Sequence, residues 1–173
     1  MPLCVVTVPA YGCRVTTSSL RFEQQYDLPR EVVWDALVDA DLVSGWLAEA
    51  EIDPRIGGRY DLRWSSPIAT GTTIGEIADL LEPELLVVEM ERIGTVSFTL
   101  SHVAGGSRGA STHLVVAVDG PVESRLADGM SAAWITSLEQ LDDLLRGHPV
   151  DWSKWQNDHG AQWSAHLDRL RSA

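Results

Sequence analysis

LADGMSAAWITSLEQLDDLLR, residues 126–146, places Met130, Trp134, Leu138, Leu141 and Leu145 at spacings of four, four, three and four. On a helix of about 3.6 residues per turn those side chains form one stripe. Asp128, Thr136, Glu139, Asp142, Asp143 and Arg146 fall on the opposite face, which is expected to meet solvent. Gly147, followed by Pro149, stops the helix. A long helix with one apolar stripe needs an apolar surface to lie on.

The residues upstream supply that surface. Glu49–Ile52, Arg59–Trp64, Thr72–Leu81, Leu85–Arg92, Thr95–His102 and Ser111–Val118 read as strands. Asp53-Pro54, Gly57-Gly58, Ser65-Ser66-Pro67, Glu82-Pro83-Glu84, Gly94 and Gly105-Gly106 punctuate them. Connections this short suit antiparallel neighbours, because parallel ones need long crossovers. Tyr60, Leu62 and Trp64 share a face, as do Leu86, Val88 and Met90, and Val96, Phe98 and Leu100; the alternate positions are mostly polar. Such a sheet is covered on one side, and the 126–146 helix is its cover.

Working outward, Leu20, Phe22, Gln24 and Tyr26 alternate in a first strand that begins at Thr17. Pro29 suits the first turn of a short helix over 29–39, with Val33, Trp34, Leu37 and Val38 as its apolar stripe. Asp39-Ala40-Asp41 offers an N-cap for a second short helix over about 41–47. Beyond Pro149, Trp152, Trp155, His159, Trp163, His166 and Leu170 trace a further amphipathic helix, weakened at Gly160. The class is α+β: a curved antiparallel sheet around a long C-terminal helix, two short helices after the first strand, and an extra C-terminal helix. The expected division is an extension over 1–15, a domain over 16–147 and a Trp-rich helix over 148–173 packed on the domain. That last helix could also serve as a lid or as a homodimer contact.

The order strand, two short helices, curved sheet, long helix resembles the helix-grip layout of the START-like (SRPBCC) superfamily. Several local patterns are similar to its branch named for activators of the heat-shock-protein ATPase. They are Leu28-Pro29-Arg30-Glu31-Val32-Val33-Trp34-Asp35-Ala36-Leu37 with Trp46, Ile56-Gly57-Gly58-Arg59-Tyr60, residues 75–86 around Leu81-Glu82-Pro83-Glu84-Leu85, and Trp134 with Leu138 and Leu141. Ala133 stands where that branch often has glycine, Met90 where an aromatic is common, and the tail after 147 has no counterpart. The resemblance implies the fold and a tendency to house apolar ligands. It carries over no catalytic residue.

Composition narrows the function classes. The 173 residues carry a net charge of −12, from 25 acidic and 13 basic side chains. That surface repels phosphate backbones and anionic headgroups, so neither nucleic acid nor a membrane is an expected partner. No run of eighteen apolar residues exists in the sequence. Met1–Val15 lacks a basic start and is broken by Pro2 and Pro9, unlike a signal peptide. Cys4 and Cys13, both within that stretch, read as reduced thiols of a cytoplasmic protein.

No nucleophile elbow or phosphate-cradling glycine loop occurs. His102, His113, His159 and His166 lack metal-ligand spacing, so neither a metal nor a cofactor is expected. Trp64, Met90, Phe98, Met130 and Trp134 lie on the sheet's inner face or the stripe above it and are the expected cavity wall. Glu76, Asp79 and Arg92 are the candidate polar groups, since a strand bulge could turn a carboxylate inward and raise its pKa. A ligand would pass between the long helix and the loops around 53–58 and 65–71. The leading expectation is a binding module for a small apolar ligand rather than an enzyme. A cyclase or hydrolase acting on an aromatic or polyketide-like substrate in that cavity is the alternative, and a chaperone-associated protein, suggested only by the name of the branch, is the third.

Overall fold

In the computed structural model, which describes residues 17–107, 109–122 and 124–172, strand β1 (Thr17–Tyr26) leads into helices α1 (Arg30–Val38) and α2 (Ala40–Ser44). Strands β2 (Glu49–Ile52), β3 (Tyr60–Ser66), β4 (Ala69–Thr73), β5 (Gly75–Leu81), β6 (Leu85–Met90), β7 (Gly94–Ala104) and β8 (Ala110–Pro121) follow. Helix α3 (Ser124–Leu145) comes next, then a 3-10 turn at Trp152–Lys154 and helices α4 (Trp155–Asp158) and α5 (Gly160–Arg171). The expectations for residues 1–15, including the thiols Cys4 and Cys13, lie outside the described residues. No helix among the described residues is long and apolar enough to cross a membrane.

Pro29 is the N-cap of α1, one position earlier than expected; its fixed φ of −59° suits either place. Asp39 caps α2 as its sequence suggests, accepting from the backbone N–H groups of Asp41 and Leu42.

The strands pair antiparallel in the order β1-β8-β7-β6-β5, and β2-β3-β4 form a second ladder. The expected strand over Thr72–Leu81 divides at Ile74: β4 pairs with β3, and β5 pairs with β6. Gly75 permits the crossing, because a Cβ there would stand 2.5 Å from the Tyr60 carbonyl oxygen. The ladders are stitched by a bridge between Arg59 and Glu76 and by Ile77 donating to Gly58 at 2.8 Å. They therefore act as one bent surface.

Leu86, Val88, Val96, Phe98, Leu114, Val116 and Val118 form the floor of the core, all fully buried. Trp134, Leu138 and Leu141 of α3 press onto that floor. By about 25 cal/mol per Å² of apolar area, each such side chain contributes on the order of 2 kcal/mol. The opposite face of α3 meets solvent only in part: Arg146 is exposed and Asp128, Glu139, Asp142 and Asp143 are half-buried. Thr136 and Gln140 are buried there, because α5 packs along that side. Thr136 meets its polar need within the helix by donating to the Ala132 carbonyl at 2.8 Å.

The turn after α3 directs the chain back. Gly147 has φ +91°, its N–H donates to Leu144 and that of His148 to Asp143, the paired bonds of a Schellman stop. Val150 then donates to the Gly45 carbonyl at 2.8 Å, and the Trp152 indole to Ser44 at 2.7 Å. Gly45 leaves room for this seat, since a Cβ would lie 2.8 Å from Leu144 and 3.3 Å from Pro149. Gln140 closes the joint when its amide donates to the Trp46 carbonyl at 2.9 Å and accepts from the Trp155 indole at 2.6 Å. The expected single tail helix is thus in pieces. It breaks beside Gly160, where His159 leaves helical geometry at φ −123°.

Candidate functional site

Between α3, α5 and the β3–β4 hairpin lies a cavity of about 680 Å³. Helix α3 supplies Met130, Ala133 and Trp134 at helical spacing, so one face of it forms the roof. The hairpin supplies Trp64, Ile68 and Thr73, and the β6–β7 turn adds Arg92 and Ile93. Helix α5 closes the remaining side with Trp163, Leu167 and Arg171.

The indoles are held in place. Trp64 donates to the Thr73 hydroxyl at 2.9 Å, fixing its ring across the hairpin. Trp134 stacks on Phe22 with ring centres 6.3 Å apart and meets Phe98 at a 60° tilt from 6.2 Å. The Trp163 N–H is buried and, among the described residues, has no acceptor. Arg92 sits at φ +65°, a left-handed geometry uncommon for a long side chain, and its guanidinium donates to the Thr72 carbonyl at 3.0 Å. Arg92 and Arg171 are exposed and mark the rim.

The expected wall is divided by the structure. Trp64, Met130, Trp134 and Arg92 border the cavity. Met90 and Phe98 do not: they are buried in the core, Phe98 behind the Trp134 ring. Both lie on the inner face as expected, but packing leaves no space there, with Phe98 against Trp134 of α3 and Met90 beside Gly75. Glu76 and Asp79 are exposed and are not part of the wall. The bulge does occur, between Ile77 and Asp79, yet Asp79 stays outside and accepts from the N–H of Leu80 at 2.8 Å. The loop over 53–58 lies against β5 and does not border the cavity, whereas the stretch over 68–70 does.

Ile93, Leu167 and Arg171 escaped sequence reasoning as wall residues. Trp163 was legible only as part of the tail stripe. The signal shared by Trp163, Leu167 and Arg171, a Trp-rich amphipathic segment, shows that a face must be covered without saying where; Ile93 carries no such signal.

Chemistry elsewhere is structural. The Tyr26 and Tyr60 hydroxyls donate to the carbonyls of Leu138 and Leu37, and burial pushes both phenols far above their ordinary range, with the Asp142 charge adding to the effect at Tyr26. His113 pairs with Glu23 on the outer face of the sheet, and His166 with Glu139 between α3 and α5. No group of three His, Cys, Asp or Glu residues among the described residues could hold a metal ion. A smaller hollow of about 250 Å³ beside β2 and β3 is crossed by the Arg63–Glu49 ion pair.

A family model described as Activator of Hsp90 ATPase homolog 1-like protein matches residues 27–146. No curated protein matches the sequence. Among solved structures, the chain is similar to protein MLL2253 from Mesorhizobium loti, at 22% identity and a TM-score of 0.63 over 76% of this chain and 99% of that one. It is similar also to CalU16 from Micromonospora echinospora, at 22% identity and a TM-score of 0.60 over 88% and 89% of the two chains. DynU16, from the dynemicin biosynthetic locus, shares 20% identity and a TM-score of 0.62 over 76% of this chain and 48% of its own. Likeness at these identities shows the fold alone.

Proposed function

Since the chain belongs to the family of activator of Hsp90 ATPase homolog 1-like proteins, whose fold leaves space beneath its long helix here, we propose that it binds a small hydrophobic or amphipathic ligand, lipid-like or aromatic, between sheet and helix. The observation that carries this reading is the 680 Å³ cavity walled by Trp64, Met130, Trp134, Trp163 and Leu167. That volume falls within the usual range of small-molecule sites, about 300–1,000 Å³. Met130 offers an unbranched, adaptable contact, and the indoles offer broad flat ones.

An enzyme of the cyclase or hydrolase type is the second reading, favoured by the likeness to DynU16 and its biosynthetic locus. Acid–base work in this cavity would have to come from hydroxyls and guanidinium groups, since among the described residues its wall includes no carboxylate, histidine or thiol. That composition favours binding. A role beside a chaperone draws only on the family description.

Native mass spectrometry of the purified protein, repeated after extraction with organic solvent, tests the reading. A discrete extra mass that disappears on denaturation is the expected result, and the same spectra report the oligomeric state. The Ala133→Trp variant fills the roof and should lose that mass while keeping its fold. Retention of the same mass by a folded Ala133→Trp protein would place the ligand elsewhere.

A further inference from the structure

Acidic residues outnumber basic ones by 25 to 13 in this chain, yet among the described residues the cavity is bordered by Arg92 and Arg171 and by no aspartate or glutamate. A wall drawn at random from this composition would be net acidic. Neither guanidinium is neutralised: among the described residues, no carboxylate forms an ion pair with Arg92 or Arg171. Most other arginines of the described fold are paired, including Arg21 with Glu23, Arg30 with Glu84, Arg55 with Asp53 and Arg63 with Glu49.

We infer that the ligand is an anionic amphipath, a carboxylate or similar acid on an apolar body, whose head group lies at the rim between Arg92 and Arg171 while its body fills the space beneath Trp134 and Met130. This deepens the cavity-binding reading and rests on it. The Arg92 side chain is held at the rim by its bond to the Thr72 carbonyl, which leaves the rest of its planar fork free to donate. A guanidinium is the side chain best shaped to grip a carboxylate through two parallel bonds. The buried N–H of Trp163, which has no acceptor among the described residues, adds a donor, so an acceptor group that reached it would gain a bond. The surrounding net charge of −12 would repel such a ligand at long range, so the two arginines also supply local attraction where it must land.

The test compares decanoate with decanol, which share an alkyl chain and differ in charge, by titration calorimetry and by the fluorescence of the wall tryptophans. Decanoate should bind about tenfold more tightly than decanol, from two rim pairs worth about two- to fivefold each. Arg92→Gln and Arg171→Gln should each weaken decanoate by about two- to fivefold and leave decanol within about twofold. Arg21→Gln, on the distant outer face of β1, should change neither. Equal affinity for the two probes would overturn the anionic head group while leaving the cavity reading intact. A preference for decanoate that survived in the folded double Arg92→Gln/Arg171→Gln variant would overturn the assignment to these residues. Binding of neither probe would overturn the cavity reading and this inference together.

Discussion

Glu139 on α3 and His166 on α5 meet at 2.8 Å, and the same carboxylate oxygen accepts from Gln162 at 2.5 Å. His166 is buried while Glu139 is only half-buried, so the contact sits at the edge of the α3–α5 interface. It fixes the pitch of α5 three residues beyond Trp163 and one before Leu167. The cavity's outer wall is therefore positioned by a polar clamp lying next to it.

Glu139→Ala should remove that clamp and leave the His166 ring nitrogen without its partner. A loss of about 1–3 kcal/mol is expected, read as a lower urea midpoint with the slope unchanged. Decanoate binding should weaken as well, since Trp163 and Leu167 lose their support. A variant with the urea midpoint and affinity of the parent protein would show that α5 is held by apolar contacts alone.

Gln140 joins three parts of the chain through one buried amide, touching the Trp46 carbonyl and the Trp155 indole. Gln140→Leu keeps the volume and strands both groups, so about 2–5 kcal/mol should be lost. Gln140→Glu, which keeps the acceptor for the indole but turns a buried charge toward the Trp46 carbonyl oxygen, should cost at least as much. Equilibrium denaturation followed by circular dichroism checks the order.

Gly75→Ala should strain the seam between the two ladders, because the new methyl meets the Tyr60 backbone oxygen at 2.5 Å. Backbone cannot swing away as a side chain can, and about 1–3 kcal/mol of destabilisation follows. Amide exchange should rise first at Ile77 and Gly57, which are bonded across the seam.

Alkali should weaken the fold through Tyr26 and Tyr60. Burial raises both phenols above the ordinary value of 10.0, so the folded state keeps protons that the unfolded state releases. Their contribution is complete below pH 10.0 and falls as the pH rises beyond it, by about 1.4 kcal/mol per pH unit for each phenol. Thermal unfolding of Tyr60→Phe between pH 8 and pH 11, roughly spanning that threshold, should show a flatter alkaline decline than the parent protein. An equally steep decline in the variant would assign the loss to other groups.

The fold was largely legible because its signals are local and periodic. The α3 stripe, the alternation in β3, β6 and β7 and the Asp39 cap each follow from neighbouring residues. The break at Ile74 was hidden, because Thr72–Leu81 carries no strong turn signal and the close approach to Tyr60 that Gly75 permits exists only in the folded chain. Periodicity also assigned Met90 and Phe98 to the inner face, but it cannot say which inner residues border space and which are covered. Trp64 and Phe98 look equivalent in sequence, yet Trp64 borders the cavity and Phe98 lies against the Trp134 ring. The contribution of α5 was the least visible, since the path of a tail after a turn such as Gly147 depends on tertiary fit at Gly45 and Gln140.

The pairing of β1 with β8 has a consequence in time. Thr17–Tyr26 finds its partner, Thr112–Pro121, only about ninety residues later in the chain. At synthesis rates of about 5–20 residues per second, the first strand waits on the order of ten seconds with Leu20 and Tyr26 unsheltered. Contacts so distant in sequence also make for slow closure of the sheet. The hairpin of α3 and α5 joins residues fewer than thirty apart, so it can form as soon as it is made. Newly made chains should therefore be most vulnerable to association through β1, before the domain has a floor for its cavity.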